Sequence, residues 1–263
     1  MEQTPLLADT TAKSPRQKFI IRLAHLSDLP LMAVHAKEAY WMSPINNFLA
    51  PTAPEHPEDL VRIMLQGIQK GFVNANNLSL VACIPAQDGE KEKVVGYGQF
   101  SRRGNDPSAK EFIRSKGWAN LLGLWVLGWW FWVWHYVSNK IWPDRISDMK
   151  AVKAFGEWNK MDAQKYWTGY PEREERWHAA SVVVSPEYQG KGIGRILMGH
   201  VIEKAQKERV PVGLTASPHG EMLYRKLGFE MLGDFCHRVA NDEGGGIMIW
   251  YPEGWKGKRH DGA

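Results

Sequence analysis

The chain has 263 residues, 44% hydrophobic and 24% charged, with a formal net charge of +4. That is globular rather than disordered composition, with room for one large core or one core carrying a sizeable insertion. The mild charge suits an anionic ligand without implying nucleic acid, and Cys83 and Cys236 are too far apart to suggest a disulfide framework or a zinc site, which points to a reducing compartment.

Residues 1–15 are polar and read as a flexible tail, with no basic region followed by the apolar run of a secretory signal. A cytoplasmic location is expected. "KFIIRLA" reads as a strand. "SDLPLMAVHAKEAYW" reads as a helix that Ser27 or Asp28 could cap, with Pro30 in its first turn. Ser43 to Pro57 reads as a proline-rich loop, followed by a helix over "PEDLVRIMLQGIQKG" that ends at Gly71. "NLSLVACIP" and "KVVGYGQFSRR" read as strands joined by the hairpin loop "AQDGEKE".

The stretch from Gly117 to Trp142 departs from this pattern. It carries seven of the chain's 13 tryptophans, and no Asp, Glu, Lys or Arg from Gly117 to Ser138. Three readings compete: a buried helix over a substrate cleft, an interfacial membrane anchor, and a membrane span. The buried helix is favoured, because apolar core helices are common and a span keeps its tryptophans at the interfaces. A charged, aromatic stretch after it leads back to the core. From Trp177 the order is strand ("WHAASVVV"), helix, strand ("VPVGLTAS"), short helix ("HGEMLYRKLG") and two final strands. The helix carries apolar Ile193, Ile196, Leu197, Val201 and Ile202. Residues 257–263 read as a basic tail.

"SPEYQGKGIGR" sits between that strand and that helix. It lacks the Gly-x-x-x-x-Gly-Lys-Ser/Thr of a nucleotide-binding loop. Arg195 stands where the dinucleotide fingerprint needs its third glycine. The remaining pattern is Gln-x-x-Gly-x-Gly, at Gln189, Gly192 and Gly194. Glycines let successive amide groups turn toward one centre, and the helix that follows adds its unpaired N–H groups and positive dipole end. Lys191 and Arg195 add charge. A pyrophosphate fits such a loop; a tight turn without a ligand is the competing reading.

From Trp177 to about Tyr251 the chain closely resembles the GNAT superfamily, the acetyl-CoA-dependent N-acyltransferases, in its motif A, its element order and "LYRKLGF". Fungal-type sequences of the superfamily look similar. Lys18 to Arg103 also fits, and the segment from about 105 to 176 is a helical, tryptophan-rich insertion outside the common core. The resemblance implies an α/β (α+β) fold: one GNAT domain over 16–256, with a central mixed, mostly antiparallel, splayed sheet flanked by helices. It implies acetyl-CoA as co-substrate and no metal. The N–H groups of Gly190, Lys191, Gly192, Ile193, Gly194 and Arg195 would hold the pyrophosphate, with Gln189 shaping the loop. The strand Val182, Val183, Val184 would pair with the pantetheine arm, and the Val182 N–H would polarise the thioester carbonyl. Ser217 stands where the family usually has a cofactor-contacting Asn. Tyr224 is in register for the general acid that protonates the leaving thiolate.

His178 stands at the matching position of a family carboxylate and is the candidate base, with Glu174, Glu175 and Glu38 as alternatives. The function implied is direct acetyl transfer to the primary amine of a small, partly apolar acceptor. The rival functions are protein or peptide N-acetylation and a membrane-associated binding protein without catalysis. Nucleic acid is not an expected partner, membrane contact through 117–142 is open, and the chain is expected as monomer or homodimer.

Overall fold

The computed structural model of the chain describes residues 18–41, 43–86, 92–239 and 244–257. The expected N-terminal tail, residues 258–263 of the C-terminal one and the hairpin tip at 87–91 lie outside these. Strand β1 (Ile20–Leu23) leads through a 3-10 turn into helix α1 (Leu29–Tyr40). Asp28 precedes α1 without capping it. Its carboxylate instead accepts from the His25 amide at 2.7 Å and pairs with Arg22 at 2.7 Å. The expected proline-rich loop holds a short helix, α2 (Pro44–Leu49). Pro44 occupies the first helical position, where no N–H is needed, and Ser43 Oγ accepts from the Asn46 amide at 3.2 Å. The expected loop thus contains a helix, because proline is suited to a first helical turn.

Helix α3 (Pro57–Val73) and strands β2 (Asn77–Ile84) and β3 (Lys93–Arg103) follow. The insertion forms α4 (Pro107–Ser115), α5 (Trp118–Ile141), α6 (Met149–Tyr166) and α7 (Pro171–Glu174). The chain then runs through β4 (Arg176–Val184), α8 (Ile193–Glu208), β5 (Val212–Ala216), α9 (Pro218–Lys226), β6 (Glu230–Gly233) and β7 (Gly246–Trp250). The seven strands form one sheet in the order β1-β2-β3-β4-β5-β7-β6. Only β4 and β5 are parallel neighbours; every other pair is antiparallel. The mixed α/β fold is the one expected.

Two cores flank the sheet. On one face α8 lays Ile193, Leu197, Met198, Val201 and Ala205 against Trp177, Ala179, Leu214 and Met248. Ile196, expected inside, is 39% exposed, and Met198 is buried instead. On the other face α1 and α3 pack Met32, Ala33 and Ile68 against Val81, Tyr97 and Val183. Beside them, Tyr166 and Trp167 at the end of α6 cover Ile247 and Ile249.

Arg102 ties the start of the insertion to its end. Its side chain has no exposure, and it pairs with Asp106, Glu175 and Glu208 at 2.7, 3.2 and 2.7 Å. Trp177 Nε1 donates to the same Glu208 at 3.1 Å.

The favoured reading of the tryptophan segment is overturned. Helix α5 is continuous over 24 residues, but only Phe131, His135 and Ser138 are buried. It rests on α3 along one stripe. There Phe131 joins the α1–α3 core, His135 Nε2 lies 2.7 Å from Gln69 Oε1, and Gln66 donates to Asn139 Oδ1 at 2.9 Å. It does not form a lid of buried rings. The span reading falls as well: among the described residues no helix is long and apolar enough to cross a membrane.

Candidate active site

The sheet opens at its one parallel step. Strand β4 pairs with β5 only through Trp177, His178 and Ala179, so from Ala180 to Val184 its β5 side has no strand partner. On the other side β4 stays paired with β3 up to Val184, and the Ser185 amide donates to Val95 O at 2.9 Å. Ladder hydrogen bonds alternate along an antiparallel pair, so Ser185 and Val183 turn their backbone groups to β3. Val182 and Val184 therefore turn theirs into the open slot. Gln189 confirms this direction, because its Nε2 reaches Val184 O at 3.1 Å. The Val183 side chain is buried under α1 and away from the slot.

The glycine loop closes the end of the slot. Gly190 and Gly192 hold φ of +74° and +85°, the left-handed region that glycine adopts without strain. A Cβ at either position would meet nothing within 4 Å, so the requirement is conformational and the space in front is open. Gly192 is the N-cap of α8 and no side chain caps that helix. The amides of Ile193, Gly194 and Arg195, at the first turn, are thus donors without a capping side chain, at the positive end of a 16-residue helix. Lys191 and Arg195 are exposed there, and Lys191 Nζ lies 4.5 Å above the Tyr188 ring. The loop can hold an anion of pyrophosphate size.

Helix α9 packs on this end. A Cβ on Gly194 would come within 3.0 Å of Leu223 Cδ2, so this glycine lets α8 and α9 approach; within α9, a Cβ on Gly220 would come within 3.1 Å of the Tyr224 ring one turn on. Ser217 is the α9 cap: its Oγ accepts from the Gly220 amide at 3.2 Å. Tyr224 packs against Phe229 at 5.7 Å, and burial pushes its phenol up to about 12, with Tyr40 adding to the shift. It keeps its proton at neutral pH.

Tyr40 itself went unnoticed in the sequence. It ends α1 beside Ser181 on β4, and burial raises its pKa. Ser181 Oγ also lies 3.4 Å from the Tyr97 hydroxyl. Two tyrosines and a serine thus meet where α1 packs on β3 and β4. No motif announces them; only the helix period, which sets Tyr40 one turn after buried Ala36, places Tyr40 toward the sheet.

His178 lies at the closed part of β4, paired in register with Gly213. Its Nδ1 is enclosed without a partner among the described residues, and the Trp167 ring stands 6.0 Å away. Burial, with Arg176 and Arg103 nearby, pushes the imidazole down to about 3. Such a ring has little strength to take a proton from an ammonium group. The expected base, His178, thus lies at the closed end of β4 with its imidazole held low. Glu175 is engaged by Arg102 and by the amides of Asn105 and Asp106. Glu38 lies 3.4 Å from His35.

Residues 158–231 match the family model described as "Acetyltransferase (GNAT) domain". The chain carries a GNAT acetyltransferase domain. The matched span holds β4, the glycine loop, α8, β5 and α9, the elements that build the slot. An acetyltransferase of Stachybotrys chartarum is 23% identical over 231 residues, covering 85% of this chain and 89% of that protein. The uncharacterized N-acetyltransferase ycf52 of Gracilaria tenuistipitata var. liui is 32% identical over 72 residues, 27% of this chain. The match spans 35% of that protein. A Corynebacterium glutamicum crystal structure described as "histone acetyltransferase HPA2 and related acetyltransferase" superposes with a TM-score of 0.53 at 19% identity. It covers 89% of this chain and 96% of that one, and shows the shared fold. Among the described residues of the GNAT domain no group of His, Cys, Asp and Glu is placed to hold a metal ion.

Proposed function

We propose that the protein transfers the acetyl group of acetyl-CoA directly to a primary amine of a small, partly apolar acceptor. The observation that carries this reading is the split between β4 and β5, with inward-turned backbone groups along it and an anion nest at its end. Acetyl-CoA has the matching parts: a pyrophosphate for the amides of Gly190 to Arg195, and an amide-bearing arm for Val182 and Val184. The Val182 N–H would donate to the thioester oxygen as negative charge develops there. The amine nitrogen forms its bond to the carbonyl carbon as the carbon–sulfur bond breaks. Tyr224 would give its proton to the departing sulfur, and the amine proton leaves to solvent. A cysteine route has no support: Cys83 is buried on β2, with its thiol pushed up to about 12, chiefly by burial.

The acceptor side begins at Tyr40 and continues into α2, whose Phe48 stacks on Trp158 of α6 at 5.5 Å; Trp158 in turn stacks on His237 at 5.2 Å. This aromatic run supports a partly apolar acceptor. Peptide acceptors form the second reading, because α5 rests on α3 and does not roof the slot. A panel of small amines and peptide N-termini, read by release of the CoA thiol, decides between them. Gly192→Glu places a carboxylate in the nest at a left-handed position, and we expect acetyl-CoA affinity to fall about 100-fold. Unchanged affinity in a calorimetric titration would falsify the cofactor assignment. Tyr224→Phe should lower kcat about 100-fold with little change in KM for acetyl-CoA. The wild-type acid stays protonated well above neutral pH, so the loss should be uniform from pH 7 to about 9.

A further inference from the structure

Two apolar stripes of α5 face away from the protein. Trp118, Trp125, Trp129, Trp132 and Tyr136 recur at helical spacing on one, and Val126, Trp130, Val133, Val137 and Ile141 on the next. The rings of the first form a run, with Trp129 and Trp132 at 5.4 Å and Trp132 stacked on Tyr136 at 6.4 Å. Trp118 is 80% exposed and Trp125, Trp130 and Trp132 are each above 60%. The stripes lie about a quarter-turn apart, so together they open more than half of the helix circumference.

The chemistry of this surface separates its possible occupants. A rigid protein face covers one stripe and leaves the other in water. A lipid headgroup layer deforms around both. The indole N–H groups of the exposed α5 tryptophans have no acceptor among the described residues, and an indole pairs an apolar body with a donor that wants a wet acceptor. Phosphate and ester oxygens supply it. The flanks are basic: Lys110, Arg114 and Lys140 are exposed and make no ion pair among the described residues. Between Ala109 and Trp142 the sequence has four basic side chains and one carboxylate, Glu111. That balance complements anionic headgroups. The helix is about 36 Å long, yet it is not apolar enough to cross a membrane, which fits a helix lying in the interfacial plane.

We propose that α5 is an interfacial membrane helix that seats the protein on anionic phospholipid bilayers, its tryptophans among the headgroups and Lys110, Arg114 and Lys140 on lipid phosphates. Flotation of the full chain, without detergent, with phosphatidylcholine vesicles lacking or containing phosphatidylserine tests this. The protein should float, and better with phosphatidylserine. The triple variant Trp125→Ser, Trp129→Ser, Trp132→Ser should bind about tenfold more weakly or worse, with unchanged circular dichroism because these side chains are exposed. Lys110→Glu, Arg114→Glu, Lys140→Glu should abolish the preference for phosphatidylserine. Any of the following results overturns the proposal. The wild type stays in the dense fraction; or it fails to float and self-associates in sedimentation through a contact that the triple tryptophan variant removes; or charge reversal leaves the lipid preference intact. None of these readouts depends on acetyl transfer.

Discussion

Helices α5 and α8 invert the usual relation between composition and burial. Helix α8 carries Arg195, Glu203, Lys204, Lys207 and Glu208, yet Ile193, Leu197, Met198, Val201 and Ala205 are each at most 1% exposed. Helix α5 has no charged side chain over most of its length and is largely exposed. The difference lies in what each helix is offered to pack on. Helix α8 connects two parallel strands of one sheet, and such a crossover must return across the sheet face. Helix α5 lies in the connection between antiparallel neighbours β3 and β4, which already pair by themselves. On its side of the sheet α1, α3 and α6 have taken the apolar surface. Burial follows available partner surface more than side-chain hydropathy.

Substitution at Arg102 is the strongest test, because there a charge sits deeper than any tryptophan of α5. Its three carboxylate partners are 16% to 32% exposed and would be left with no cation among the described residues. Arg102→Leu should lower stability by about 3–5 kcal/mol in urea unfolding. A neutral effect would mean that the knot is not needed to hold the two ends of the insertion together. Neighbours on α5 sharpen the comparison within one helix. Phe131 is 7% exposed and Trp130 is 62% exposed. Phe131→Ala should cost about 3 kcal/mol, and Trp130→Ser less than about 0.5 kcal/mol. Comparable losses at both positions would show that the outer stripe is covered in solution.

The parts of the fold that were legible share a local cause. The glycine loop declared itself because left-handed turns at Gly190 and Gly192 admit little else, and the "LYRKLGF" helix because it resembles a motif of the GNAT superfamily. The strands followed from short β-branched and apolar runs, buried continuously in β2 and β3. Helix α2 was missed because proline and serine look like loop residues until the cap is seen. The site of α5 was misjudged because an all-round apolar helix reads equally as core or as outer surface; only the topology says which face of the sheet was free. The environment of His178 was invisible for the same reason. The register put it on the right strand, but the splay begins at Ala180, beyond it, and Trp167 comes from the insertion. Tyr40 lies 141 residues from Ser181 in sequence, so no local pattern could pair them.

His178 gives an effect that depends on pH, and it weighs the sheet against α5. Its folded imidazole titrates near 3, against 6.5 for an ordinary histidine. Between those values the unfolded chain binds a proton that the folded chain refuses, so this histidine's contribution to stability is complete above pH 6.5 and is lost as pH falls toward 3. The slope is about 1 kcal/mol per pH unit over that window. His135, at the contact of α5 with α3, is also held below its ordinary value, by burial and by Lys70. His178→Gln should flatten the fall in Tm between pH 6.5 and about 4, and His135→Gln should flatten it less. If His135 carried the larger share, the seat of α5 on α3 would be the more tightly enclosed of the two, and the contrast drawn between a buried sheet site and a lightly held outer helix would fail.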